Sequence, residues 1–206
     1  MVVIEEAAKA PLESAILRSM FEARKRVFVD LLKWDIPVID GRYELDQFDG
    51  EHAVYLALVG RDGRHLRTRR LLPTMRPHLL DSLFPELCVA EPPGGPGVME
   101  ITRFCLDRSL GAARRLQTRN RLVVALARYA LARGIHTYTG VAEMGWLQQI
   151  LAFGWRCRPL GAPRVIAGQP LGALRIDITA ETPALLERAF SGAPAPGQAS
   201  PTRKAA

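Results

Sequence analysis

Cysteine and lysine are scarce in this sequence, and long hydrophobic runs are missing. The cysteines Cys88, Cys105 and Cys157 are odd in number and lack the spacing of zinc ligands, which argues against a disulfide framework and a zinc site. No apolar run approaches the roughly 18–20 residues of a membrane helix, and the N-terminus lacks the basic segment of a signal peptide. We therefore expect a cytoplasmic protein without a membrane span and without a bound metal or cofactor.

The positive charge of the chain comes almost entirely from arginine. Only four of the 28 basic residues are lysines, and the formal net charge is +7. Arginine suits planar, bidentate contact with carboxylates and phosphates. The 48% hydrophobic and 24% charged composition is typical of a globular protein, and 206 residues suffice for one domain. We predict a single domain over residues 1–190 and, from its Pro, Ala and Gly content, a disordered tail over 191–206.

The segment from Val98 to Leu106 reads as a central strand that carries two opposite charges, Glu100 and Arg103. Burying a charge is costly unless it is paired, so the two residues form either a structural ion pair or an active-site acid and base. Residues three apart on a regular strand point to opposite faces. We therefore expect a bulge near Ile101 or Thr102 that lets Glu100 and Arg103 share a cleft.

Around this strand the pattern predicts an α/β domain with a mixed, mostly antiparallel sheet flanked by helices. The predicted elements, in order, are a helix 12–32, an irregular loop 33–50, a hairpin 51–72 turning at 61–63, a short helix 77–85, the central strand, a helix 114–133 capped by Gly134, a strand 135–141, a helix 143–153, a hairpin 164–178 and a helix 182–190.

Charged and aromatic residues mark three places in that order. The loop 33–50 is rich in acids and large aromatics, and could cover the core or wrap a cationic, ring-containing ligand. The return strand of the first hairpin should expose most of its arginines, but alternation places Arg70 near the interior. The helix 114–133 begins with a positive patch that suggests an anionic partner, formed by Arg114, Arg115, Arg119 and Arg121.

Several short motifs occur along the chain in a fixed order. They are Arg24 with Val27-Phe28, Trp34, the run Glu44-Leu45-Asp46-Gln47-Phe48-Asp49, Arg70-Leu71-Leu72-Pro73-Thr74, Phe84-Pro85 and Glu100-Ile101-Thr102-Arg103-Phe104. No single motif is specific, but in this order and at these intervals they resemble the acyl-homoserine-lactone synthases of LuxI type over residues 12–180. The resemblance implies the fold of the GCN5-related N-acetyltransferases.

The resemblance implies acyl transfer from an acyl-carrier protein or acyl-CoA to the amine of S-adenosylmethionine, followed by lactone closure with release of methylthioadenosine. Glu100 is the candidate base, and a backbone N–H of the central strand could hold the oxyanion. The catalytic set would be Glu100, Arg103, Asp46, Asp49, Arg70 and Arg24. The S-adenosylmethionine contacts would be Arg24, Phe28, Trp34, Asp46, Asp49 and Arg103, with the division of roles among the arginines open.

Two further sites follow from the same resemblance. The acyl pocket should lie between the central strand and the later strand–helix pair, although core packing explains its candidates equally well. Those candidates are Phe84, Ile101, Val141, Ala142, Met144, Trp146, Leu147 and Ile150. The basic patch Arg114, Arg115, Arg119 and Arg121 would dock an acidic carrier protein. The acyl group itself stays open.

Two other functions remain as alternatives. An ordinary acetyl-CoA-dependent N-acetyltransferase would need a Gly-rich phosphate loop after the central strand, where the sequence has Arg108-Ser109-Leu110-Gly111-Ala112-Ala113 instead. A basic nucleic-acid-binding domain would account for the pI of about 9.8 but not for Glu100 or the acid-rich loop. We expect no nucleic-acid partner.

Overall fold

A mixed sheet with helices on both faces forms the body of the protein. The structure is a computed structural model that describes residues 2–6, 12–59, 65–106 and 111–191. The predicted turn at 61–63, residues 108–110 of the segment after the central strand, and the predicted tail after Ser191 lie outside these residues.

The strands are β1 (Val2–Glu6), β2 (Val38–Ile39), β3 (Tyr43–Glu44), β4 (Val54–Val59), β5 (His65–Pro73), β6 (Val98–Leu106), β7 (Thr137–Glu143), β8 (Arg156–Pro159), β9 (Arg164–Ile166) and β10 (Gln169–Asp177). In the main sheet they follow the order β1-β4-β5-β6-β7-β10-β8, and β9 pairs with β10. All pairs in this sheet are antiparallel except β6 with β7. Two short strands, β2 and β3, form a separate hairpin within the loop that was predicted to be irregular.

The helices also follow the predicted order. The predicted first helix is an α-helix that continues as a π-helix over Lys25–Leu31, and the predicted short helix is an α-helical turn followed by a 3₁₀ turn at Pro85–Leu87. Among the described residues, no helix is both long and apolar enough to cross a membrane. The α-helices are α1 (Ala15–Arg24), α2 (Leu79–Ser82), α3 (Ala112–Ala132), α4 (Met144–Leu151) and α5 (Thr182–Ser191).

Two cores lie on opposite faces of the sheet. The face covered by α3, α4 and α5, called here the α3 face, buries Leu122, Leu126, Tyr138 and other apolar side chains. The opposite face, covered by α1 and α2 and called here the α1 face, buries Phe21 and Tyr55 among others. Each fully buried large apolar side chain contributes roughly 1.5–3 kcal/mol, so both faces hold the helices firmly on the sheet.

Two strands and two leucine side chains differ from what the sequence predicts. The strands β1 and β8 were not predicted, because each is short and its pairing partner is distant in sequence. The helical spacing of α3 also predicts Leu116 and Leu131 on its apolar face, but they are 50% and 42% exposed. The predicted C-cap glycine is confirmed in position: Gly134 follows the helix with φ +66°, a conformation that favours glycine.

The parallel pairing of β6 with β7 is short. It comprises Val98 with Thr137, Met99 with Tyr138 and Glu100 with Thr139, after which both strands continue unpaired with each other. Just past the last pair, a Cβ added to Gly140 would lie 3.0 Å from the carbonyl oxygen of Ile101. The two backbones therefore remain close at Gly140 although the ladder has ended, and the unpaired stretch between the two strands beyond Glu100 is called here the cleft.

Candidate active site

Six charged side chains form a buried ion cluster over β5 and β6 on the α1 face. Three guanidinium groups face three carboxylates, so the cluster is formally neutral. Every member has less than a tenth of its side chain exposed. The members are Arg24, Arg70 and Arg103 with Glu44, Asp46 and Asp49.

Arg24, at the end of α1, holds two of the acids together. Its Nε donates to Glu44, and its two terminal nitrogens donate to the Asp49 oxygens at 2.8 and 2.7 Å. The hydroxyl of Tyr55 also donates to Asp49, at 2.9 Å. Arg24 itself is fully buried. The bidentate contact ties Asp49, in the loop after α1, to the end of that helix.

Arg70 and Arg103 reach the remaining acid from two neighbouring strands. Arg70 donates to both oxygens of Asp46, at 2.6 and 3.0 Å, and its Nε donates to the hydroxyl of Thr102 at 2.9 Å. Arg103 donates to Asp46 at 2.6 Å and to Glu44 at 3.1 Å. The prediction that Arg70 lies near the interior is confirmed.

The expected irregularity in the central strand exists, but it lies later than predicted. The pairing of β5 with β6 passes from Thr68–Cys105 directly to Arg70–Thr102, so Arg103 and Phe104 together face one residue. Arg103 has φ +48°, a left-handed conformation that non-glycine residues rarely adopt. This backbone brings Arg103 to the α1 face beside Thr102. The predicted position of the bulge, near Ile101 or Thr102, was therefore wrong by one or two residues.

Within the ion cluster, electrostatic interactions favour the charged forms of Asp49 and Arg24. Burial alone would raise the pKa of Asp49, but the charges and hydrogen bonds of Arg24 and Arg70 hold it well below its usual range. Although burial disfavours its charge, Asp49 and Glu44 raise the pKa of Arg24. Ligand oxygens of Glu44, Asp46 and Asp49 lie within 4.8 Å of one another, close enough to hold a metal ion. The three guanidinium groups already neutralise them, so this donor set favours arginine over a metal cation.

Two aromatic rings border the ion cluster. Phe28, on the π-helix, stacks on Trp34 with ring centroids 4.8 Å apart and an interplanar angle of 22°. The Arg103 guanidinium carbon lies 5.6 Å from the Phe28 centroid. Phe28 is buried and Trp34 is half-buried, so Trp34 offers the accessible edge of the pair. The residues predicted to contact S-adenosylmethionine therefore lie together at the ion cluster. They are Arg24, Phe28, Trp34, Asp46, Asp49 and Arg103.

Glu100 is buried on the same face without contacting any guanidinium group among the described residues. Its carboxylate accepts hydrogen bonds from the backbone N–H groups of Leu79 at 2.7 Å and Leu80 at 3.1 Å, at the start of α2. Burial raises the pKa of Glu100 to about 7, against the opposing effect of these bonds and of Arg70. The structural Glu100–Arg103 pair considered for the strand is therefore not formed, because Arg103 turns to Glu44 and Asp46.

The predicted acyl-pocket residues do not form one cluster. Phe84 and Val141 pack with Leu80 on the α1 face. The other six pack against the α3 face, because neighbouring residues of a strand such as Val141 and Ala142 point to opposite sides of the sheet. These six are Ile101, Ala142, Met144, Trp146, Leu147 and Ile150.

Stacked rings close the α3 side of the cleft. Phe104 stacks on Trp146 with centroids 4.6 Å apart, and Trp146 contacts Phe153 edge-on at 5.7 Å. Arg69 covers the other side of Phe104, its guanidinium carbon 3.1 Å from the ring centroid. Arg69 was expected on a solvated face, but it is only 4% exposed. Its burial follows from the aromatic partner, since a guanidinium can stack on a ring face.

Only part of the predicted docking patch is exposed to solvent. Arg114 and Arg121 are exposed and Arg115 is half-buried. Arg119 instead lies over Phe153, with its guanidinium carbon 4.8 Å from the ring centroid, and donates to Gln149 at 3.2 Å. Arg121 also lines a surface groove of about 1260 Å³ between α3, α5 and the strands β1 and β4, on the α3 face.

Several site residues were not assigned a role from the sequence. Glu44 belongs to the acid-rich run but was not singled out, and Tyr55 and Thr102 looked like ordinary strand residues. The carboxylate-binding N–H groups of Leu79 and Leu80 are backbone atoms, for which side-chain identity gives no signal. Glu44 could have been found, because three buried arginines require a third acid.

Comparison with known proteins agrees with this geometry. Residues 9–186 match the family model described as autoinducer synthase. An acyl-homoserine-lactone synthase of Ralstonia nicotianae is 34% identical over 181 residues, covering 85% of this chain and 88% of the relative.

Solved structures give the same result for the fold. A CoA-dependent acyl-homoserine lactone synthase, BjaI, with SAM and isopentyl-CoA has a TM-score of 0.81 at 29% identity, covering 95% of this chain and 90% of that one. An N-acetyltransferase from Lactobacillus plantarum has a TM-score of 0.57 at 18% identity, covering 87% of this chain and 98% of that one. That second likeness concerns the fold alone and confirms the predicted N-acetyltransferase-like sheet. The chain belongs to the autoinducer synthase family.

Proposed function

We propose that this protein is an acyl-homoserine-lactone synthase that acylates the α-amine of S-adenosylmethionine. The amine attacks the thioester carbonyl carbon, the carbon–sulfur bond breaks, and the donor thiol leaves. The carboxylate of the acylated product then attacks its own γ-carbon, the bond to the sulfonium breaks, and methylthioadenosine departs with closure of the lactone. This second step releases a neutral leaving group, so it needs positioning rather than an external base.

One observation carries the proposal. Glu100 is a buried carboxylate without a guanidinium partner among the described residues, at the point where β6 and β7 separate. Because burial raises its pKa to about 7, it can accept the amine proton near neutral pH and is then a competent general base. A backbone N–H of β6 beyond Glu100 lies at the cleft and suits the oxyanion of the tetrahedral intermediate.

The ion cluster supports the binding of S-adenosylmethionine. Trp34 offers a half-buried ring beside the charges of Arg103 and Asp46, which suits a cationic ligand that also carries a carboxylate and an adenine. Arg24 is fully buried and bonded to two acids, so it positions Glu44 and Asp49 instead of binding substrate directly.

The first test is mass spectrometry of culture extracts from a bacterium that expresses the chain, searched for the homoserine-lactone fragment ion. We expect acyl-homoserine lactones with the wild type, and a loss of about 10²- to 10⁴-fold in turnover with Glu100→Gln. Glu86→Gln, which changes an exposed acid, is the control. Purified protein with S-adenosylmethionine and a panel of acyl thioesters follows if the host lacks the donor. Acetyl transfer to an unrelated amine would instead favour the ordinary acetyltransferase.

The donor carrier can be tested through the exposed part of the basic patch. We propose that Arg114 and Arg121 attract an acidic carrier protein, and that the phosphates of CoA are an alternative partner. The double variant Arg114→Ser, Arg121→Ser should raise the KM for an acyl-carrier-protein donor several-fold at low salt, with the difference shrinking as salt is added. The KM for S-adenosylmethionine should not change. An unchanged KM for the carrier-protein donor at low salt would contradict the docking assignment.

A further inference from the structure

A groove on the α3 face has an apolar floor that is partly open to solvent. Called here the α3–α5 groove, it lies between α3, α5, β1 and β4 and measures about 1260 Å³. Val2 and Ile4 of the edge strand β1 line it and are 38% and 44% exposed. Their partners on β4, Leu58 and Leu56, line it too and are almost fully buried. The two helices therefore leave apolar surface of the edge strand available to a partner.

One wall of the groove is basic, because the exposed side of α3 carries arginines at a regular interval. Arg114, Arg121 and Arg128 recur every seven residues, so they form a row with a spacing of about 10 Å along the helix axis. All three are exposed, and Arg121 and Arg128 line the groove. Among the described lining residues the one acid is Glu187, which forms a surface pair with Arg128 at 2.6 Å. Exposed pairs of this kind are weak, so Arg128 can exchange its partner.

The size and chemistry of the groove favour a helix as its occupant. Small-molecule pockets enclose about 300–1,000 Å³, and this groove is larger. A helix that lies beside α3 repeats its own side chains at the same interval, so a row of acids on it can face the arginine row. Its apolar side can then cover Val2 and Ile4. A nucleic-acid backbone would pair with the arginines but leave the apolar floor in water.

We propose that the α3–α5 groove docks an acidic amphipathic helix of a partner protein. The inference goes beyond the proposed function, because this surface lies on the face of the sheet opposite the ion cluster. Acids of the helix pair with Arg121 and Arg128, and its apolar side chains cover the floor. Arg121 also belongs to the patch proposed for the carrier protein, but that patch does not require the apolar floor.

A designed peptide is the probe for this docking. It is a helix with leucines along one side and glutamates every seven residues beside them, and its binding to the full chain is measured by fluorescence anisotropy. A second peptide has lysine in place of each glutamate, and a third has the same residues in an order that removes the apolar side. We expect the first peptide to bind at least about tenfold more tightly than the other two at low salt.

A pair of arginine substitutions tests the wall of the groove. Arg121→Ser with Arg128→Ser should raise the Kd of the first peptide about five- to tenfold at low salt, and the difference should shrink as salt is added. Arg158→Ser with Arg164→Ser is the matched control, because it removes two exposed arginines from β8 and β9 and gives the same net charge. The control pair should leave the Kd unchanged.

A pair of substitutions in β1 tests the floor. Val2→Thr with Ile4→Thr keeps β-branched residues in the strand and adds a hydroxyl to each. It should raise the Kd about fivefold or more at every salt concentration, because apolar contact is not screened. Val165→Thr, at a 73% exposed position of β9, is the control and should bind as the wild type does. Thermal melting of each variant verifies that the fold is kept.

Three results would overturn the proposal. The wild type does not bind the acidic peptide more tightly than the other two peptides; the control arginine pair weakens binding as much as the wall pair, so net charge alone attracts the peptide; or the floor pair binds as tightly as the wild type, so the arginines attract any polyanion. None of these results depends on acyl transfer, so the proposed function is tested separately.

Discussion

Two buried acidic sites lie side by side on the α1 face, and they are neutralised in different ways. The acids of the ion cluster are bound by guanidinium groups, and the pKa of Asp49 stays low. Glu100 is bound by two backbone N–H groups that carry no net charge, and burial raises its pKa to about 7. A buried carboxylate therefore becomes a base when its partners are dipoles instead of cations.

The largest expected effect is a loss of stability when one acid of the ion cluster is neutralised. Asp49→Asn removes a charge that contacts both Arg24 and Arg70 and leaves an uncompensated positive charge in the interior. We expect the free energy of unfolding to fall by about 3–5 kcal/mol, measured by urea denaturation. Asp30→Asn is the control, because Asp30 forms a surface pair with Lys25 and should cost no more than about 1 kcal/mol. Equal losses in the two variants would contradict the cluster.

The second prediction separates the two sites by the sign of their pH dependence. The pKa of Glu100 is raised in the folded state from its ordinary value of 4.5 to about 7. The stability that Glu100 contributes is therefore present at low pH and falls as pH rises from about 4.5 to about 7. The pKa of Asp49 is lowered in the folded state. The stability that Asp49 contributes is therefore present at pH values above its ordinary pKa of 3.8 and is lost as the pH falls below that value. The difference in unfolding free energy between the wild type and Glu100→Gln should therefore change by up to about 3 kcal/mol across the first window. A difference that stays constant from pH 4 to 8 would contradict a raised pKa.

The smallest expected effect comes from removing a single hydrogen bond to Glu100. Leu79→Pro removes the N–H that donates to Glu100, at the first position of α2, where proline is tolerated. The preceding residue, His78, is already extended, with φ −138° and ψ 179°, as a residue before proline requires. Losing this bond should raise the pKa of Glu100 further and move the acidic limb of the kcat/KM profile upward by about one pH unit.

Leu79→Ala is the matched control for that variant. It truncates the same side chain but keeps the N–H, so the acidic limb should stay at the wild-type position. If both variants shift the limb equally, the backbone donor does not set the pKa of Glu100, and side-chain packing does.

The sequence predicted the order of elements because hydrophobic periodicity is local. The central strand, the basic helix α3 and the buried Arg70 all follow from the spacing of side chains along the chain. The position of the strand irregularity did not follow, since the left-handed φ of Arg103 depends on Glu44 and Asp46, which lie 59 and 57 residues away. Sequence spacing alone cannot say where two strands lose register.

The residues of the candidate site were predicted from the sequence, and the structure adds which partners each of them contacts. Asp46 and Asp49 were grouped with Glu100 as catalytic acids, but their partners differ in kind. The split of the acyl-pocket residues was also beyond the sequence, because it depends on which side of β7 each residue faces. Arg69 and Arg70 illustrate the same point: adjacent arginines are both buried, one over Phe104 and one against Asp46.

The early end of the β6–β7 ladder has a consequence for ligand binding. A sheet that stops pairing while both strands continue leaves a gap that an extended ligand can fill, with backbone groups on both sides. A bound acyl donor would then act as the missing segment of the sheet. Donor binding should accordingly slow hydrogen exchange of those amides in residues 101–106 and 140–143 that face the gap, as if the two strands had been joined there.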